Sequence, residues 1–91
     1  MGTFRIRKPY TMPVEDVRAA ARGLAQELQQ KHGVQPQWCG DEVRIKASGV
    51  DGTLSFGDGV IDISVKLGML ASAFEPVLKK EVQRYLDTHV T

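Results

Sequence analysis

Cys39 is the only thiol in the chain, and His32 lies a few positions before it. A thiol beside an imidazole is the raw material of nucleophilic catalysis, which needs a base within hydrogen-bond reach and a third group to orient that base. Gly40 and Asp41 follow Cys39, yet this spacing matches no nucleophile elbow and no cysteine-protease signature. The plainer reading is a small apolar residue where a strand begins. His32 and His89 fall at opposite helix ends, where an imidazole commonly meets terminal carbonyls. One cysteine and two distant histidines make no zinc pattern. Asp51-Gly52 and Gly57-Asp58-Gly59 are turn chemistry and resemble neither a calcium loop nor a phosphate loop. Glu15 and Asp16 suit a helix start, whereas paired carboxylates for acid–base work need burial to split their pKa values. The expectation is therefore no catalytic residue, no metal and no cofactor.

Phe4 and Ile6 alternate with Thr3, Arg5 and Arg7, as in a half-buried strand ended by Pro9. Val14, Val17, Ala21, Leu24, Ala25 and Leu28 recur at helical spacing after Pro13, and Gly33 gives a stop. This predicts a helix from Pro13 to His32. The run from Trp38 to Gly68 then alternates in three short stretches. Val43, Ile45 and Ala47 share one parity, then Val50, Gly52, Leu54 and Phe56, then Ile61, Ile63, Val65 and Leu67. Ser48-Gly49 and Gly57-Asp58-Gly59 supply the turns. Gly52 inside a strand suggests a bulge or a close backbone approach. Leu70, Phe74, Val77, Leu78, Val82, Tyr85 and Leu86 form a second helical stripe. Ser72 and Glu75 have capping-box spacing, although a start nearer Glu75 is equally open.

The order is β-α-β-β-β-α, an α+β fold of two layers. It implies a mostly antiparallel four-stranded sheet with both helices on one face, in a single domain over residues 1–91. The last three strands form a meander, and the first strand joins at either the Trp38 side or the Leu67 side. Its length of 91 residues, 42% hydrophobic and 25% charged, is that of an ordinary globular domain.

Strand parity then exposes a second kind of chemistry. Arg5, Arg7, Arg44, Lys46 and Lys66 all take the outward face, against Asp51 and Asp62. A chain of net charge +1 would carry one basic face. Such an anion-facing surface suits nucleic acid, an acidic partner or an anionic lipid layer. It also suits plain solvation, where cations guard a sheet against aggregation. The lack of interleaved aromatics argues against single-strand nucleic-acid binding and for solvation. Trp38 stands at the entry to the sheet, as a core or rim anchor or, if exposed on an edge, as a contact residue. A homodimer through a strand edge is easier to defend than one through five facing cations.

The Trp38-x-Gly40-Asp41, Gly49-Val50-x-Gly52 and Val65-x-Leu67-Gly68-x-Leu70 motifs, with a closing helix ending Leu86-Asp87, resemble the small polyhydroxyalkanoic acid system proteins. The likeness extends to Arg18 after Glu15-Asp16. One departure stands out. Relatives often carry a basic residue, one intervening position and a histidine after the first strand, and here those positions hold Lys8 and Tyr10. The resemblance implies a setting in polyester storage or at the granule surface. Taken with the small size and the lack of a catalytic constellation, it leads to the expectation of a small non-enzymatic accessory protein that binds a protein partner or the polyhydroxyalkanoate granule. The basic face offers anion or nucleic-acid binding as the alternative. No apolar stretch reaches the ~20 residues that span a bilayer. The basic N-terminus lacks the apolar block of a secretory signal, and Ile6 stands where myristoylation wants Ser or Thr. With a lone cysteine, the expected location is cytoplasmic.

Overall fold

The computed structural model describes residues 2–91. Five strands build one sheet: β1 (Gly2–Pro9), β2 (Gln35–Cys39), β3 (Glu42–Ala47), β4 (Val50–Ser55) and β5 (Val60–Leu67). Helix α1 (Val14–His32) follows β1, and α2 (Glu75–His89) closes the chain after a 3-10 turn at Ser72–Phe74. The spatial order is β1-β5-β4-β3-β2, with every neighbouring pair antiparallel. The α+β character and the meander are as the alternation implies. Strand β1 joins on the Leu67 side, where Gly2 pairs with Leu67 and Pro9 with Val60.

The count of four strands is corrected to five. Strand β2 lacks apolar alternation because it lies at the sheet edge, where four of its five residues are exposed. Pro36 is tolerated there because an edge strand uses only one side of its backbone for pairing. Gly40-Asp41 joins β2 to β3 as a two-residue turn, with Gly40 at a φ of 61° that side chains with a Cβ rarely adopt. The Ser48-Gly49 turn works the same way, with Gly49 at 76°.

The core lies between the sheet and the two helices. Phe4, Ile6, Val43, Ile45, Leu54, Phe56, Ile61, Ile63, Val65 and Leu67 meet Val17, Ala21, Leu24 and Leu28 from α1. From α2 come Leu78, Val82 and Leu86. The α1 boundaries agree with expectation to one residue, and the Gly33 N–H closes the helix onto the Gln29 carbonyl. Val14, at the very start, is exposed. The second stripe is shorter than its spacing suggests. A turn from Gly68 to Ala71 and the 3-10 segment break the period, so Leu70 and Val77 face solvent. Ser72 donates its hydroxyl to the Met69 carbonyl at 2.9 Å, which fixes this turn and leaves α2 without a side-chain cap. Of the two starts left open, the one at Glu75 is the observed one.

Two polar contacts tie the ends of the chain to the layers. Tyr10 donates its hydroxyl to the Phe56 carbonyl, and Thr11 bonds Thr91 through both backbone and side chain. Between the helices, Tyr85 donates to the Ala20 carbonyl at 2.8 Å. The tyrosine titrates above its ordinary value, because burial disfavours the phenolate and Glu27 adds repulsion.

Two glycines show opposite packing demands. Gly52 pairs regularly with Ile45 and Val65, so it makes no bulge. It borders an apolar cavity of about 30 Å³ between sheet and helices, and an added Cβ would reach ordinary contact with Val65 Cγ2 at 3.4 Å. Gly52→Ala should therefore stabilise the protein by about 0.5–1 kcal/mol in urea unfolding, since glycine in a strand interior forgoes that much. A Cβ on Gly23, in contrast, would run into the Tyr85 hydroxyl. Gly23→Ala should lose the usual helical gain of about 1 kcal/mol in the native background and recover it in Tyr85→Phe. The same gain in both backgrounds would show that the helices part easily there.

Candidate functional site

The helices cover one face of the sheet and leave the other open, so the candidate surface is that outer face. Its side chains align in rows across the strands. Gln35, Lys46, Asp51, Lys66 and Thr3 form the first row, and Gln37, Arg44, Thr53, Ser64 and Arg5 the second. Cys39, Glu42, Ser55, Asp62 and Arg7 form the third. All five expected cations thus share the outer face. They do not make it uniformly basic. Glu42 belongs to this face as well, an acid beyond Asp51 and Asp62 that stands against the cations.

Charge is graded along the strands. The first two rows hold four cations and one acid, while the third sets Glu42 and Asp62 against Arg7. Beyond the third row come the turn acids Asp41 and Asp58. Asp62 accepts a two-pronged pair from Arg5, at 3.0 Å from Nε and 2.6 Å from a terminal nitrogen. Arg7 approaches the same carboxylate at 3.5 Å. Among the described residues, Arg44, Lys46 and Lys66 have no acid within ion-pair distance. These three are the cations left to meet a ligand.

The face is concave because its middle is built from short side chains. Thr53 and Ser64 sit between Arg44 and Arg5, giving an open hollow of about 440 Å³ that Lys66 and Asp51 also line. A second hollow of about 560 Å³ lies toward the acidic end, lined by Arg7, Cys39, Asp41, Glu42, Asp58 and Asp62. The first can offer hydroxyl donors flanked by cations to an anion. In the second, carboxylates surround the exposed thiol.

The other singled-out residues fall elsewhere. Trp38 sits on edge strand β2 opposite Val43, about 40% exposed, at the rim of the sheet rather than in the core. His32 does not approach Cys39, which faces outward at the far end of β2. Its Nε2 lies 2.8 Å from Glu81 on α2, and its ring meets Phe74 edge-on. Burial works against the charge on Glu81. His32 and Lys31, 3.3 Å away, outweigh it and hold the carboxyl below its ordinary value. His89 stacks on Tyr85. Both histidines therefore engage side chains, not the terminal carbonyls. Among the described residues no three His, Cys, Asp or Glu side chains gather as metal ligands.

Lys8 and Tyr10 have structural partners, Asp87 at 3.0 Å for the lysine and the Phe56 carbonyl for the tyrosine. Arg18 reaches Asp41 at 3.4 Å and lies over the Phe56 ring. The Trp-x-Gly-Asp turn is thereby tied to the start of α1.

A two-layer fold with helices on one side and an open, charge-graded sheet on the other defines a small α+β protein with a single free face. A family model described as "Putative polyhydroxyalkanoic acid system protein" matches residues 4–90, and the chain belongs to that family. Searches of curated proteins and of solved structures found no match. Among the described residues no helix is long and apolar enough to cross a membrane.

The Arg5–Asp62 pair yields a pH prediction. The hydrogen bond from Arg5 outweighs the opposing effect of burial, and the charges of Arg5 and Arg7 add to it, so the Asp62 carboxyl sits below its ordinary value. A carboxyl depressed in the folded state adds stability above its unfolded pKa of about 3.9, and that contribution fades as pH falls through the folded value. Asp62→Asn should therefore be less stable than the native protein at pH 7, by a small margin because the pair is solvated. The gap in urea midpoints should close in strong acid. A gap that persisted at low pH would assign the loss to packing instead.

Proposed function

We propose that this protein is a small non-enzymatic accessory protein of the polyhydroxyalkanoate system, working in the cytoplasm by binding a protein partner or the storage-granule surface. The observation that carries this reading is the open outer face, where the unpaired Arg44 and Lys66 border a shallow hollow rather than a closed pocket and Lys46 stands beside it, across from Asp51. A broad, shallow surface suits an extended partner more than a small substrate. The family supplies the setting. The separation of Cys39 from His32 supports a binding role over a catalytic one.

A second reading treats the same surface as a binder of anions, nucleic acid included. It is favoured by the row Arg44, Thr53, Ser64 and Arg5, where hydroxyls lie between cations. Reversing the charges of Arg44 and Lys46 separates the two when heparin, DNA and RNA binding are measured across a salt series. Anion binding requires affinity that falls steeply with salt and drops in that variant.

The accessory reading is tested by co-sedimentation with granules isolated from the native host. The protein is expected in the granule fraction, and its deletion should change granule number or size. A protein wholly in the soluble fraction, whose deletion leaves granules unaltered, would overturn it.

A further inference from the structure

The tip of the molecule where β5 ends is apolar in a way the fold does not require. Leu70 is 99% exposed and Met69 79%. They are held out by a formed turn, with the Ala71 N–H on the Gly68 carbonyl and the Ser72 hydroxyl on the Met69 carbonyl. Pro76 and Val77, in the first turn of α2, are exposed as well. Large apolar side chains gathered at one exposed place mark contact sites.

What surrounds this knuckle identifies its counterpart. The Gly68 N–H bonds the Gly49 carbonyl at 2.7 Å, which seats the knuckle against the β3–β4 turn. Lys46 and Lys66 flank that junction in the first row of the outer face, with Asp51 between them. The remaining acids of that face and its turns, Asp41, Glu42, Asp58 and Asp62, lie at the other end of the strands. The apolar tip therefore stands at the basic pole of a charge-graded face. A surface that is both apolar within and anionic at its boundary matches this arrangement, and it would orient the molecule tip-first.

We infer that Met69 and Leu70 insert into an anionic lipid surface, with Lys46 and Lys66 facing its headgroups. This rests on the granule-surface reading and names the docking point within it. Two apolar side chains and two cations make such attachment weak and reversible.

The full-length protein should co-sediment with vesicles of phosphatidylcholine mixed with phosphatidylglycerol, and far less with phosphatidylcholine alone. Added salt should weaken the binding. Leu70→Ser should weaken it about tenfold, and the charge reversal Lys46→Glu with Lys66→Glu should remove the preference for the anionic vesicles. Because Leu70 is solvent-exposed, its variant should keep the native thermal unfolding midpoint. Undiminished vesicle binding by Leu70→Ser would overturn the inference, as would equal binding of the native protein to neutral vesicles or to bare polyester particles. A dimer in solution that Leu70→Ser dissociates would overturn it too, by making a second copy the occupant. If Leu70→Ser stays on native granules as the unaltered protein does, the granule reading stands and the knuckle is not its docking point.

Discussion

Burial of one face of the sheet under two helices is the constraint on which the rest of this structure depends. Each of strands β1, β3, β4 and β5 sends one parity inward, and the helices answer with a single stripe apiece. Hydrophobic burial of this kind has no direction of its own, so register must come from elsewhere. The two-residue turns at Gly40-Asp41 and Ser48-Gly49 provide it, because a slip by one residue would turn every inward side chain to water. Once parity is set, the outer face follows without further cost. Its composition is then free to be selected for contact instead of cohesion.

That division explains what could be read from the residues alone. Alternation in the central run and the stripe of α1 each reflect a strong pattern of burial, and both elements lie where the pattern implies. Strand β2 carries no such pattern because, at the edge, its side chains touch little, so only its pairing with β3 identifies it. The two-layer architecture was legible for the same reason that the placement of β1 was not. Parity says which face a strand buries but nothing about which neighbour it takes.

The candidate face was legible as a set of residues but not as a field. Counting outward cations gives five, yet Asp62 engages two of them and Glu42 offsets the third row. What decides the character of the face is cross-strand register, which no single strand contains. The exposed knuckle is a different case. Leu70 continues the helical period on paper, so periodicity assigns it to the core. A four-residue turn and a 3-10 segment interrupt that period, and hydrogen bonds local to Gly68–Ser72 outweigh the apolar gain of burying one more leucine. The same spacing that marks a core position can therefore mark an exposed one when a turn intervenes. His32 shows the related point for polar groups, since its partner Glu81 is distant in the chain and close only after the helices meet.

The strand order carries a consequence for how the chain comes together. Strands β2 to β5 pair with their neighbours in sequence, so each hairpin can close over a short loop as soon as it exists. Strand β1 is made first but pairs with β5, which is made last of the strands. Its closure spans most of the chain and carries the largest loop entropy in the sheet. During synthesis residues 2–9 must wait as an unpaired extended segment, the kind of template that recruits other chains. Arg5, Arg7 and Lys8, together with Pro9, make that waiting segment a poor partner for a stranger. Their charges serve the nascent chain before they serve any finished surface.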